Sequence, residues 1–337
     1  MAWTFNSMLI TAAFLLLAML ASQATARSLH EASLTEKHEQ WMVEHGRVYK
    51  DEAEKAKRFK IFKETVEYIE AFNKAGNKSY VLGINRFSDL TNEEFLSAST
   101  GYNYKPRKDV SQGTSFRYAD VSDAPPSMNW RQKGAVTGVK DQAACGCCWA
   151  FSTVAAVEGI HKLKAGELIS LSEQQLVDCD TSSNHGCSGG RMDSAFNFIA
   201  SNGIATESEY PYQGADGTCN NDQGAVQITG YEDVPQNNED ALLQAVSKQP
   251  VSVGIEGSGM DFKNYKSGVF SGDCGNNLDH AVTLVGYGTS EDGTKYWLAK
   301  NSWGTSWGED GYMRLQRDTG APEGLCGIAS QASYPTA

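Results

Sequence analysis

Apolar positions recur at two different intervals along the 337-residue chain, and the interval changes past its middle. From Glu31 to Glu70 the sequence is polar with a helical rhythm. Trp41, Val43 and Tyr49 mark a first segment, and Phe59, Phe62, Val66, Ile69 and Phe72 or Asn73 recur every three or four residues. Gly76-Asn77-Lys78-Ser79 breaks that helix, Tyr80-Val81-Leu82 reads as a short strand, and Thr91-Asn92-Glu93-Glu94 reads as an N-cap with first-turn acids. Residues 101–126 lack periodicity and end in Asp123-Ala124-Pro125-Pro126, the pattern of an exposed, cleavable linker. Beyond it, Trp149, Phe151, Val154, Val157, Ile160 and Leu163 share one helix face that Gly166 terminates, and Ser172 caps a short helix ending near Asp178. From about Val251 the pattern becomes strand-like: Val251-Ser252-Val253, Ala281 to Val285 and Tyr296 to Ala299 are the clearest runs. Helices first and strands later predict an α+β fold, with two subdomains and a cleft between them.

The extreme N-terminus is an address. An apolar run from Met8 to Ala21 ends in Ala24-Thr25-Ala26 before Arg27, the form of a secretory signal peptide over residues 1–26. It is shorter than a membrane span of about 20 residues, and no later stretch could span, so no membrane span is expected. The formal charge of −12 lies entirely late in the chain. Residues 27–123 balance 16 basic against 16 acidic side chains, whereas 124–337 hold 13 against 25. A nucleic-acid partner, which needs a basic face, is therefore not expected.

The eight cysteines are equally one-sided, since all lie beyond residue 144. The first third folds without disulfides, and an oxidising compartment favours them in the rest. Cys148 stands at the first turn of the long helix, where unpaired N–H groups and the helix dipole favour a thiolate. A nucleophile also needs a base within reach. Residues 124–337 contain His161, within the helix, His185, in a polar loop, and His280, at the start of a hydrophobic strand. His280 is the best-placed base. Two other uses of these residues remain open: Cys145-x-x-Cys148 fits a redox dithiol, and Cys145, Cys147 and Cys148 with His185 fit a zinc site. Neither accounts for Gln142, His280 and Asn301 together.

Those three residues, with Gln142-Ala143-Ala144-Cys145-Gly146-Cys147-Cys148-Trp149-Ala150-Phe151 and Asn301-Ser302-Trp303-Gly304, carry a resemblance. From Trp130 to the C-terminus the chain resembles the papain-type cysteine proteases, most like their plant vacuolar and senescence-associated branch. The resemblance implies a papain-like fold with a helical and a β-barrel-like subdomain. It implies an endopeptidase using Cys148 as nucleophile, His280 as base, Asn301 as its orienter and Gln142 in the oxyanion hole, with no metal or cofactor. Trp303 would shield the His280–Asn301 hydrogen bond. Gly189 and Gly190 would bind substrate backbone, and Asp279 and Trp303 would also contact the substrate. Met192, Gly254, Leu278, Ala281 and Gln331 would line an apolar pocket for the second residue before the scissile bond. The implied disulfides are Cys145–Cys187, Cys179–Cys219 and Cys274–Cys326, where sequence alone allows 15 pairings. Cys147 is then the odd thiol, standing where serine is usual, and it reads as a small buried residue.

The first third resembles the family's inhibitory prosegment. Glu54, Arg58, Phe62, Ile69 and Asn73 match its long helix, Thr65 departs from it, and Gly83-Ile84-Asn85-Arg86-Phe87-Ser88-Asp89 matches its second motif. The expected organisation is therefore a signal peptide (1–26), a mainly α-helical inhibitory propeptide (27–123) and a peptidase domain (124–337). Expected partners are peptide and protein substrates, the chain's own propeptide and cystatin-like inhibitors, with the enzyme a monomer. Passage through the secretory pathway would end in a vacuole or lysosome, or outside the cell. Asn77 in Asn77-Lys78-Ser79 is the glycosylation sequon. The alternative readings are a catalytically silent or inhibitor-like relative, or a cysteine-rich redox or zinc protein.

Overall fold

A first helix, α1 over residues 30–44, turns Leu34, His38 and Trp41 onto one buried face at spacings of four and three. The structure, a computed structural model, describes residues 30–103, 116–220 and 224–337. The signal-peptide segment 1–26 and most of the linker's first half lie outside them. The chain divides into two compact units, one ending at Tyr68 and the other starting at Ile69. In the first unit, Leu34 and Trp41 pack against Phe62 and Val66 of α2 (Glu52–Ala75), with the Trp41 and Phe62 rings 5.2 Å apart. Asp51 accepts the Glu54 N–H at 2.8 Å and so satisfies one unpaired donor at the start of α2. Val43, expected among the apolar marks, is instead 84% exposed, because it lies off the Leu34–Trp41 face.

The second unit begins with the last turns of α2, where the Asn73 side chain bonds both backbone groups of Leu82 at 2.9 and 3.0 Å. Leu82 belongs to β1 (Tyr80–Leu82). Thr91 and Glu94 form a reciprocal capping box that starts α3 (Asn92–Ser99). There follow β2 (Met128–Asn129), α4 (Cys148–Ala165), α5 (Glu173–Cys179), α6 (Met192–Asn202) and β3 (Gly230–Asp233). The last third contains α7 (Glu239–Lys248), β4 (Val251–Ile255), α8 (Met260–Lys263), β5 (Tyr265–Phe270), β6 (His280–Thr289), β7 (Lys295–Lys300), β8 (Tyr312–Gln316) and β9 (Ala332–Thr336). Gly166 ends α4 in the left-handed conformation (φ 82°) and Ser172 caps α5, both where the sequence places them.

Among the described residues the strands run in the order β1-β5-β8-β7-β6-β4-β9-β3, with β2 added to β6. All neighbours are antiparallel except β5 and β8. Two apolar cores result. One fills the sheet side around Trp297, Trp307, Val282 and Tyr334. The other surrounds α4 and α6 with Trp149, Val154, Phe196 and Ile199. Three disulfides, Cys145–Cys187, Cys179–Cys219 and Cys274–Cys326, close loops of 42, 40 and 52 residues. Cys147 and Cys148 are free and buried.

One expectation fails at the linker. Residues 101–103 are not an exposed tether: Tyr102 is only 5% exposed and forms a bridge with Gly190. The linker's later end also packs down, with the Tyr118 hydroxyl donating to Gln249 at 2.8 Å. Periodicity cannot reveal a segment whose burial comes from pairing with a distant loop rather than from its own face.

Candidate active site

The first residue of α4 is Cys148, and Cys147 occupies the N-cap without a side-chain capping bond. One turn further on, Ser152 fixes the helix against the sheet. Its hydroxyl donates to Val282 O of β6 at 2.8 Å, and its carbonyl accepts from the Ser252 hydroxyl of β4, also at 2.8 Å. Val282 lies two residues after His280, so this anchorage sets the head of α4 beside the start of β6. The backbone N–H groups of Ala281, Trp149 and Cys148 itself pull the Cys148 thiol pKa down.

His280 is fully buried. Its Nε2 lies 2.8 Å from Asn301 Oδ1, an oxygen held in place by the Ser302 N–H at 2.8 Å. Because that oxygen only accepts, Nε2 carries the proton and Nδ1 presents its lone pair. Nδ1 has no hydrogen-bond partner, and neither does Asn301 Nδ2. The Trp303 indole stacks on the imidazole with centroids 4.6 Å apart and planes 25° apart, and it is itself fully buried.

Gln142 is buried and held at every polar atom. Its N–H donates to Ser302 O at 2.9 Å, its side-chain NH2 to Cys145 O at 2.8 Å, and its Oε1 accepts from the Ser302 hydroxyl at 2.5 Å. Its carbonyl accepts from the Tyr212 hydroxyl at 2.7 Å. Ser302 stands in the Asn301-Ser302-Trp303-Gly304 motif, but neither its bond to Gln142 nor that of Tyr212 is marked by local pattern.

The segment leaving α3 lies across these residues. Gly101 N and Tyr102 N both donate to Asp279 O, at 3.0 and 2.9 Å. On the other side Gly190 N donates to Gly101 O and Asn103 N to Gly190 O, each at 2.9 Å. No side chain fits at position 101, where a Cβ would stand 2.0 Å from Gly146 O, nor at Gly190, whose Cβ would press on the Trp149 ring at 2.7 Å. Gly189 is equally closed, its Cβ direction meeting Gly101 O at 2.8 Å. Asn184 supports this loop from beneath: fully buried, it bonds both the N–H and the carbonyl of Arg191, while its amide also donates to Asp180 at 2.6 Å. A polar Ser183-Asn184-His185 loop gave no sign of that role.

The Tyr102 ring fills the depression over Gly254, with its Cε1 2.6 Å from where a Cβ would be. Met192, Leu278 and Ala281 belong to the same apolar cluster as Tyr102. Gln331 accepts the Gly254 N–H through its carbonyl, and both polar atoms of its side chain are buried without a partner. Ser99 O accepts the Trp303 indole N–H at 2.9 Å, and Phe87 and Phe95 pack edge-on against the same ring.

Coverage changes the electrostatics. Burial pushes the Cys148 thiol up to about 12, although the surrounding N–H groups pull it down. Burial likewise lowers His280 to about 4, against the Asn301 bond that raises it. In the covered state both groups are therefore neutral near pH 7. Cys147, also buried, is raised well above the ordinary thiol range. Cys145 is joined to Cys187 and so forms no dithiol with Cys148. Of the other histidines, His161 lies on α4 and His185 is exposed in the loop before Gly186. Asn77 is exposed between α2 and β1. Among the described residues no cluster could hold a metal ion, and no helix is long and apolar enough to cross a membrane.

A buried cysteine at a helix head, an asparagine-held histidine and a covering segment from the first third together describe a cysteine protease with its propeptide. Comparison with known proteins gives the family. Residues 124–336 match the papain family cysteine protease model, and residues 38–95 match the cathepsin propeptide inhibitor domain. The chain belongs to the papain family. It is 53% identical over 327 residues to senescence-specific cysteine protease SAG39 of Oryza sativa subsp. indica, covering 95% of this chain and 96% of that one. Senescence-specific cysteine protease SAG12 of Arabidopsis thaliana is 54% identical over 317 residues, 91% of each chain. Among solved structures, the recombinant stem bromelain precursor superposes with a TM-score of 0.84 at 50% identity, covering 90% of this chain and 99% of that chain. The proform of the ragweed pollen allergen Amb a 11 gives 0.83 at 42% identity, covering 90% and 94%.

Proposed function

We propose that this papain-family protease is a secretory zymogen that hydrolyses peptide bonds through an acyl-enzyme on Cys148. The Cys148 thiolate, paired with protonated His280, attacks the carbonyl carbon. The Cys148 backbone N–H and the Gln142 amide receive the oxyanion. His280 protonates the leaving amine, then takes a proton from water as that water cleaves the thioester, which restores the thiolate–imidazolium pair. Asn301 keeps the ring in the required orientation throughout. The observation that carries this reading is the His280 Nε2–Asn301 Oδ1 bond of 2.8 Å, which leaves the opposite ring nitrogen without a hydrogen-bond partner.

Residues 27–123 act as the inhibitor, and their removal near Asp123–Ala124 gives the active domain of 124–337. Cleavage removes the cover over Cys148 and His280, and the return of water permits the ion pair. The substrate chain then takes over the backbone bonds that Gly101, Tyr102 and Asn103 make to Asp279 and Gly190. The pocket of Met192, Gly254, Leu278, Ala281 and Gln331 accepts large apolar side chains, as Tyr102 illustrates. The family match and the predicted signal peptide support passage through the secretory pathway, with a vacuole as destination.

Iodoacetamide at pH 5–6, followed by peptide mapping of the acid-processed protein, tests the reading. Label on Cys148 with parallel loss of peptidase activity is expected. Activity that survives complete alkylation of Cys148 would refute it.

A further inference from the structure

Ala143, next to Gln142, holds a left-handed backbone conformation (φ 53°) that costs an alanine about 1 kcal/mol or more. Rotation of the Gln142–Ala143 peptide would release that strain and swing Gln142 away from its present direction. Two bonds oppose the rotation, one on each side of the peptide. The Ala143 N–H donates to Asp141 Oδ1 at 2.8 Å, and the Gln142 carbonyl accepts from the Tyr212 hydroxyl at 2.7 Å. The tyrosine hydroxyl has a single hydrogen, which it donates to this carbonyl. Cys147 Sγ, 3.0 Å from the same hydroxyl oxygen, must therefore be the donor in their contact. Burial of Cys147, which keeps its thiol protonated, agrees with that direction. The ring is fixed from behind by Phe151, edge-on at 5.0 Å, and its backbone N–H is held by Glu207 at 2.9 Å.

We propose that Tyr212 and Cys147 form a positioning relay for the oxyanion hole: the Cys147 thiol orients the Tyr212 hydroxyl, which latches the strained peptide that aims Gln142. The proposal rests on the reading of Gln142 as an oxyanion donor. It gives the extra cysteine a task, one that a serine at the same position could also perform.

The test uses full-length proenzyme activated by acid, and it exploits a difference between two reactions of Cys148. Peptide hydrolysis develops an oxyanion, whereas alkylation by iodoacetamide does not. Tyr212→Phe should lower kcat about tenfold, with KM and the alkylation rate each within about twofold of wild type. Cys147→Ser should retain near-full kcat, and Cys147→Ala should lose several-fold in kcat alone. Unchanged kcat in Tyr212→Phe overturns the proposal, as does an equal fall in hydrolysis and alkylation, which would indicate general disorder of the site. Should Tyr212→Phe fail to fold, the Cys147 pair decides: equal kcat for the serine and alanine variants overturns the relay. Gln142→Ala separates the two layers. If it leaves kcat intact, the oxyanion reading itself falls, and the relay with it.

Discussion

The two sides of the site are built in opposite ways. Gln142, Cys148 and Gly190 come from one stretch of about fifty residues, closed by the Cys145–Cys187 disulfide and supported by a helix that begins at Cys148. His280 opens β6 and Asn301 follows the end of β7, and the two meet through strand register. β6 and β7 pair Thr283 with Lys300, which leaves Asn301 just past the end of the ladder, and an irregularity between Leu284 and Gly286 resets that ladder further along. On the helical side local chemistry and a covalent bond hold the geometry. On the sheet side the Cys274–Cys326 disulfide closes the loop that carries both residues, but their approach depends on strand pairing through many weaker bonds. A reactive group can thus be specified locally, while its partner needs the assembled sheet.

Experiments that remove one side at a time sharpen this contrast. The largest effect is expected from Cys148→Ala, which should reduce peptide hydrolysis by about 10⁴-fold or more without lowering the thermal midpoint. Steady-state kinetics beside a melting curve would show whether the helical side is chemically essential yet structurally dispensable.

Next in size is the effect of the cover. With the thiol raised to about 12 and the imidazole lowered to about 4, both are neutral between those pH values, so the unprocessed chain has no ion pair there. Iodoacetamide should label Cys148 at pH 5–6 at least about 100-fold more slowly in the proform than after processing. Equal rates would mean that the covering segment leaves the pair's charge state untouched.

A smaller change is expected on the sheet side. Asn301→Ala removes the bond that raises the His280 pKa, so the alkaline limb of the mature enzyme's pH–rate profile should move to lower pH. The same variant should lose about ten- to a hundredfold in kcat, in keeping with a hydrogen bond to a charged group. An alkaline limb that stays fixed would dissociate Asn301 from the imidazole.

The smallest effect should come from Asn184→Ala, which loosens the Arg191 backbone just after Gly190. KM should rise about fivefold with kcat little altered, the scale of one ordinary hydrogen bond. Loss of kcat at constant KM would instead place Asn184 on the chemical step.

Much of this molecule was legible before its structure. The helix around Trp149 and Phe151, the Gly166 stop, the Ser172 and Thr91 caps and the β4, β6 and β7 runs all follow from spacing and local capping chemistry. Such signals depend only on residues within a few positions of one another. Cys148 was legible for the same reason, because a helix head is a local feature.

The rest was decided in three dimensions. The bond from His280 to Asn301 needs the β6–β7 register. The burial of Tyr102 needs Gly190 and Asp279, which are far away in the chain. The support of Gln142 by Ser302 and Tyr212 spans 160 and 70 residues. Sequence pattern determined which elements form and where a reactive thiol could arise, since those properties are set by neighbouring residues. The tertiary structure alone decided which polar atoms face one another and whether water reaches Cys148 and His280. Both depend on contacts whose members share no local pattern, and burial shifts the thiol up and the imidazole down.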